Sequence, residues 1–365
     1  MAPAACAGRP TRARRILAIL VAGIGDTVLG VPALRALRAG FPEAHITLLG
    51  RYPPLELLEG CPYVDARVPL DPARFKTPGW ALRPDGWRAL VRSLGPLRAR
   101  RFDIAANLYQ IGTRAGGLRM AALLAWIGAP ATAGRRSPFR IPHYRIAADG
   151  TTHELEGQLS VALSLGAPHC GTHLELWVEE GHRAACSRFL AEHGICPEGT
   201  IVCLHPGSTK PEARWPVGGF AALADRLAPA GARLVVTGGP EERALAGAVA
   251  AASRARPTPV VAAGALGLGA LSALLQRAAL LVTNDSGPMH VAAAAGCPLV
   301  ALFGPTDPRA FGPRGNPETT RVLAAERTGP WGEAEWLRAI PPARVAVEAE
   351  ALLACTPHRV RREAG

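Results

Sequence analysis

Gly23-Ile24-Gly25-Asp26-Thr27 places a carboxylate within a glycine-rich turn between an apolar run and an amphipathic one. Glycines in such a turn let backbone amides approach a ligand, and the N-terminus of the following helix favours negative charge. A dinucleotide fingerprint requires Gly-x-Gly-x-x-Gly, but the third glycine here, Gly30, arrives two residues late. Asp26 would also repel a pyrophosphate bound in the loop. Its carboxylate can instead take a proton from an attacking hydroxyl, or cap the helix through its side chain; the residues alone leave both readings open.

Three further junctions carry polar groups in the same local setting. His205-Pro206-Gly207-Ser208-Thr209-Lys210, continuing to Arg214-Trp215-Pro216, sets hydroxyls and two cations where a diphosphate can be held and its charge neutralised as it leaves. The alternative is a solvated basic loop with Trp215 packed as a lid. Thr283-Asn284-Asp285-Ser286-Gly287-Pro288-Met289-His290 opens a helix that Ser286 or Asp285 can cap, with Pro288 in its first turn. Amides from Ser286 through Gly287 to Met289 suit a phosphate oxygen or a sugar hydroxyl, and His290 can reach the same ligand. In Gly238-Gly239-Pro240-Glu241-Glu242, Glu241 can accept from ribose hydroxyls or simply complement the helix dipole. Phe303-Gly304-Pro305-Thr306-Asp307-Pro308 is a turn-rich loop that can border the same site.

Short β-branched runs, glycine turns and amphipathic segments repeat in both halves, as parallel βαβ construction requires. The pattern predicts strands at 16–21, 46–49 and 102–107 and a helix at 32–39. Further on it predicts strands at 201–204, 233–237, 260–262, 280–283 and a last one at 299–303. Helices are expected at 220–227, 241–251, 268–277 and 287–295, with a C-terminal helix from about 342 to 353. Residues 69–96, rich in Pro, Arg and Trp, read as an irregular excursion with one short helix; Trp331 and Trp336 fall in a loop. The 365 residues exceed one ordinary core, so two doubly wound α/β lobes enclosing a cleft are expected, 1–170 and 171–340, followed by a helix and basic tail at 341–365.

Composition narrows the class. Lys and Arg number 41 against 29 Asp and Glu, a formal +12 that attracts phosphates, acidic glycolipids or anionic membrane surfaces. Nucleic acid is not expected, because the arginines are scattered and no recognition motif or aromatic platform accompanies them. The eight cysteines form no metal-ligand spacing, and a reducing, cytoplasmic setting is expected. Arg12, Arg14 and Arg15 before Ile16–Ala22 imitate a secretory signal, but the run reaches Asp26 at once and continues into an amphipathic segment, so a buried strand is expected. No run of about 20 apolar residues predicts a spanning helix.

In order, Gly23-Ile24-Gly25-Asp26 with Pro32-Ala33-Leu34, His205-Pro206-Gly207-Ser208, Arg214-Trp215-Pro216, Gly238-Gly239-Pro240, Asn284 to His290 and Phe303-Gly304-Pro305-Thr306 resemble glycosyltransferase family 9, the ADP-heptose:lipopolysaccharide heptosyltransferases. The resemblance implies a GT-B architecture, an N-terminal acceptor lobe, a C-terminal nucleotide-sugar lobe and no required cofactor or metal. It implies that Asp26 is the general base, with Gly23, Gly25 and Thr27 in the acceptor-side loop. Ser208, Thr209, Arg214, Asp285, Ser286, Gly287 and His290 fall on the donor side, where Lys210, Glu241 and Met289 are also expected. Arg214 stands where the family commonly has lysine, and keeps the charge while preferring bidentate contacts. The partners implied are a nucleotide sugar and an acidic saccharide or glycolipid. A nicotinamide-dependent dehydrogenase and a non-catalytic sugar-binding protein are the competing classes.

Overall fold

The computed structural model describes residues 13–71, 84–147, 153–196, 198–325 and 333–355. The chain divides into two compact units, Met1–Thr172 and His173–Gly365.

In the first unit, β1 (Arg15–Leu20) leads into α1 (Ile24–Leu29) and α2 (Val31–Gly40), then β2 (His45–Gly50), β3 (Ala66–Pro69) and α3 (Pro84–Ala99). There follow β4 (Ile104–Asn107), α4 (Arg114–Ile127), β5 (Ala131–Gly134), β6 (Tyr144–Ile146) and α5 (Glu154–Ser164). All six strands run parallel in the order β3-β2-β1-β4-β5-β6. Helices cover both faces of such a sheet, so β1 and β2 bury five consecutive residues each rather than alternate ones. Leu17, Ile19, Leu49, Phe102 and Ala105 form one side of the core with Leu94, Leu97, Leu124 and Ile127.

The second unit repeats the plan with α6 (Glu180–Glu192), β7 (Ile201–His205), α7 (Val217–Leu227), β8 (Arg233–Val236), α8 (Arg243–Ala252) and β9 (Val260–Val261). It continues through α9 (Leu268–Arg277), β10 (Leu280–Asn284), α10 (Gly287–Ala295), β11 (Leu299–Phe303), α11 (Pro308–Phe311), β12 (Thr320–Ala324) and α12 (Pro342–Cys355). Its strand order, β12-β11-β10-β7-β8-β9, is that of the first sheet. Each sheet thus has a switch point between its first and fourth strands, β1/β4 and β7/β10, where ligands of open α/β sheets bind beyond the strands' carboxyl ends.

Several expectations change. The strand at 299–303 is not the last, because β12 pairs with it in parallel; its Thr-Arg-Val-Leu-Ala sequence is half exposed at a sheet edge and lacks the apolar run that marks a central strand. In the first unit β3, β5 and β6 escape notice for the same reason, being short and half-exposed. The short helix expected within 69–96 is the 16-residue α3, which tolerates Pro96 in its last turns; the rest of that segment, 72–83, lies outside the described residues. Trp336 sits in a 3-10 turn at Glu333–Ala339 against the core, whereas Trp331 is outside the described residues. Nor is α12 an appendage. Val345, Ala346, Ala349 and Leu352 are buried in the core of the second unit with Phe220, Leu223 and Val300.

Candidate active site

At the first switch point, β1 ends and Gly23 takes the N-cap position of α1, so the turn expected at 23–27 is mostly helix. Thr27 fixes this start by donating its hydroxyl to the Gly23 carbonyl at 2.8 Å. Asp26 is the third helical residue. It does not cap the helix from the N-cap position, but its carboxylate turns back to accept the Gly23 amide.

The surroundings of this carboxylate were not foreseen. Burial raises the Asp26 pKa to about 6, helped by the charge of Glu154 and opposed by the Gly23 amide and by Arg135. Glu154 opens α5 and is itself buried, joined to buried Arg135 by a 2.6 Å ion pair. Gln158, one helical turn on, donates to Glu154 Oε1 at 3.3 Å and to the Asp26 backbone carbonyl at 3.2 Å. Beyond β4, Tyr109 feels both acids: desolvation, Asp26 and Glu154 all raise its pKa. Asn107 holds that turn by donating to the Tyr109 carbonyl at 2.9 Å and to Tyr144 Oη at 3.1 Å. Burial pushes Tyr144 up to about 12, so it stays protonated. The spacing Glu154-x-x-x-Gln158 was the available signal for one polar face at a helix start; nothing local to the sequence connects it with Asp26.

At the second switch point two loops are locked together by Asn284, which is fully buried at the end of β10. Its Oδ1 accepts the Trp215 amide at 2.9 Å and its Nδ2 donates to the Pro206 carbonyl at 2.8 Å. Trp215 is core rather than lid: its ring meets Phe220 edge-on at 5.0 Å and its Nε1 donates to the Ile340 carbonyl at 3.0 Å. Arg214 spends two donors on the Ser208 carbonyl, at 3.0 Å from Nε and 2.7 Å from Nη2. Ser208, buried, donates its hydroxyl to the Asp285 carbonyl at 3.1 Å. Thr209 and Lys210 stand exposed at the loop tip.

Asp285 has its pKa raised by burial, against a hydrogen bond with Thr306 and the charge of Lys210. The Phe303–Thr306 loop is thereby part of this site. Ser286 is the N-cap of α10, but its hydroxyl pairs with Thr283 Oγ1 at 3.0 Å and does not cap. Of the four amides expected from Ser286 to Met289, Pro288 has none and that of Met289 donates to the Ser286 carbonyl at 3.2 Å. Ser286 and Gly287 are left as the amides to offer. Met289 has its side chain wholly in the core, and His290 is also buried.

At the tip of β8, Glu241 is exposed and its neighbour Glu242 turns inward. Glu242 accepts the Gly239 amide at 2.9 Å and lies 3.9 Å from Nε2 of buried His205. The carboxylate sits against Gly207, where a Cβ would collide with it, so only glycine permits this approach. Burial lowers the His205 pKa despite Glu242, and His205 Nδ1 pairs with Thr237 Oγ1 at 3.1 Å. The carboxylate directed at the loop is therefore one residue later than expected, because Glu241 occupies the outward position of a 3-10 turn.

Comparison with known proteins places these features. The family description "Glycosyltransferase family 9 (heptosyltransferase)" matches residues 91–331, a stretch holding Arg135, Glu154 and all the second-unit loops above. The lipopolysaccharide core heptosyltransferase OpsX of Haemophilus influenzae is 23% identical over 308 residues, 84% of each protein. A solved glycosyltransferase family 9 structure from Veillonella parvula is 27% identical with a TM-score of 0.78, covering 94% of this chain and 98% of that one. That of the ADP-heptose lipopolysaccharide heptosyltransferase II of Escherichia coli is 26% identical with a TM-score of 0.76, covering 94% of this chain and all of the other. The expected fold class, α/β with two Rossmann-like lobes of GT-B type, is the one found. With two-thirds of its length matched and its loops built as described, the chain belongs to glycosyltransferase family 9 and is a glycosyltransferase.

Proposed function

We propose that this enzyme transfers a heptose from ADP-heptose to a saccharide of the lipopolysaccharide core, inverting the anomeric centre in one displacement. The nucleotide sugar is a substrate and no further cofactor enters. Asp26 takes the proton of an acceptor hydroxyl, and the hydroxyl oxygen forms a bond to the anomeric carbon as the bond from that carbon to the diphosphate breaks. ADP departs with the electron pair, so no second acid is needed, and charge stabilisation takes its place. Lys210 and Arg214 with the Ser286 and Gly287 amides serve the diphosphate, supported by Ser208, Thr209 and Asp285. Glu242, more than Glu241, is turned to accept from a ribose hydroxyl.

The observation that carries the reading is Asp26 itself: a carboxylate at the switch point of the first sheet, desolvated until it titrates near 6. A general base works best when its pKa lies near the working pH. Calorimetric titration with ADP, UDP, GDP, NAD and ADP-heptose tests the donor. Selective binding of ADP and ADP-heptose is expected; preference for UDP or GDP overturns the sugar nucleotide, and preference for NAD overturns the class.

The acceptor side is proposed to be the first unit, for reasons of charge. Through Thr172 there are 22 Lys and Arg against 11 Asp and Glu, whereas from His173 onward there are 19 against 18. Nearly all the excess positive charge lies on one unit, which suits a phosphorylated glycolipid and the anionic membrane surface that carries it. Helix α4 contains no acid and exposes Leu118 and Trp126 beside Arg114 and Arg119, with Arg98 stacked 4.9 Å over the Trp126 ring. Such a face suits peripheral contact at a lipid headgroup boundary. Among the described residues no helix is long and apolar enough to cross a membrane.

A further inference from the structure

The buried polar groups near Asp26 have no place in the displacement just described, yet they include the buried Arg135–Glu154 ion pair. We propose that Arg135, Glu154 and Gln158 are positioning residues for Asp26, a buried charge set that holds its stretch of backbone in place and governs when its carboxylate ionises. The inference rests on Asp26 being the base.

Geometry carries it first. Helix α5 packs beside α1 and begins at His153, whose Nδ1 accepts the Leu155 amide; this start delivers Glu154 and Gln158 on one face. Gln158 bridges the two acidic residues, using one donor on the Glu154 carboxylate and the other contact on the Asp26 carbonyl. That carbonyl also accepts the Gly30 amide at 3.0 Å, so the end of α1 is fixed by its own helix and by α5 together. Arg135, from the loop after β5, closes the set with its 2.6 Å pair to Glu154. Its guanidinium lies flat against Gly157, where a Cβ would stand 2.6 Å from Cζ. Glu154, Arg135 and Gln158 are all under a tenth exposed, a placement that costs desolvation and is kept only with partners.

The electrostatics follow from this arrangement. The groups acting on the Asp26 carboxylate come from three places, Glu154 on α5, Arg135 after β5 and the Gly23 amide at the head of α1; across the switch point Tyr109 after β4 is itself raised by Asp26 and Glu154. Glu154 disfavours the second negative charge and Arg135 favours it. An unanswered Glu154 would suppress ionisation of Asp26, and an unanswered Arg135 would ionise it at lower pH and make it a weaker base. The pair keeps the base between these limits, and Gln158 transmits the position of one acid to the backbone of the other.

The test is the pH profile of kcat in the full-length enzyme with ADP-heptose and a core saccharide acceptor. Glu154→Gln removes one negative charge and leaves Arg135, so the acid limb is expected to move down by on the order of one pH unit, with donor KM unchanged. The double variant R135M/E154Q removes both charges at similar volume and is expected to fold where a single change fails, with its acid limb returning part of the way. Gln158→Met, which deletes only the bridge, is expected to lower kcat while leaving the limb near that of the parent. An acid limb that stays at the parental pH in a folded Glu154→Gln or R135M/E154Q enzyme overturns the inference. Asp26→Asn separates the two failures: if it retains parental kcat and acid limb, the base assignment itself falls. If kcat collapses in Asp26→Asn while the Glu154 variants keep the parental limb, only the positioning role is lost.

Discussion

After β1 the chain buries one carboxylate near another and balances them with a single arginine; after β7 and β10 it buries mostly neutral groups, Asn284, Ser208 and Thr283, with Arg214 half-buried and Lys210 at the surface. The frame is the same in both units, six parallel strands in one order with the working loops at the same switch point. What differs, under the roles proposed for them, is the state each loop must hold. A base needs a charge kept under tension, so desolvation and a like charge are tolerated there. A phosphate site needs amides and cations that meet charge without reorganising, so its loops are cross-tied by hydrogen bonds instead. One fold thus hosts two electrostatic solutions, with the chemistry residing in the loops.

The comparison is broken most severely at Asp26. Asp26→Asn is expected to lower kcat by about 10²–10⁴-fold, with donor affinity by calorimetry unchanged; an equal fall in affinity and rate would move Asp26 to the donor side. In the parent enzyme kcat should decline as pH falls through about 6, where the buried carboxylate takes up its proton. The same residue has a stability signature of known sign. Its folded pKa is raised above the unfolded 3.8, so its contribution is fully present below about pH 4 and lost as pH rises through 6. Asp26→Asn should therefore melt higher than the parent at pH 8 and at the same temperature near pH 3.5, as scanning calorimetry at the two pH values would show.

In the second unit the expected losses are in binding. Arg214→Ala removes a cation and frees the Ser208 carbonyl, which should weaken ADP by roughly 10–100-fold, the equivalent of about 1.5–3 kcal/mol for a charged hydrogen-bonding group. Arg214→Lys should recover only part of this, since one ammonium does not reproduce the two-pronged contact. Asn284→Ala leaves the Trp215 amide and Pro206 carbonyl without their shared partner, and should cost about 1–3 kcal/mol of stability in chemical denaturation. The smallest effect concerns charge outside the sites. Sedimentation with anionic vesicles should capture the protein at low salt and release it as salt rises. Leu118→Ser with Trp126→Ser should reduce capture without altering ADP binding, and equal capture by neutral vesicles would argue against an electrostatic contact.

Much of this was legible locally. The β-branched runs of β1, β7, β10 and β11, the glycine turns and the helix starts at Leu268 and Gly287 are written in short stretches, because periodicity and turn chemistry act over a few residues. Asp26 could be singled out for the same reason, as an acid at a strand's end inside a failed fingerprint. Edge strands such as β12 and β6 could not, since half-exposed edges blur the apolar signal. The sequence by itself therefore determined the fold class and the family, and singled out the loops at which the chemistry is proposed. Only the tertiary structure decided which polar groups those loops keep. It brought Glu154 and Gln158 to Asp26 across more than a hundred residues, chose Glu242 over Glu241 by the rotation of one turn, and withdrew the Met289 amide into the helix. Desolvation and hydrogen-bond geometry depend on neighbours distant in the chain, and no local spacing encodes them.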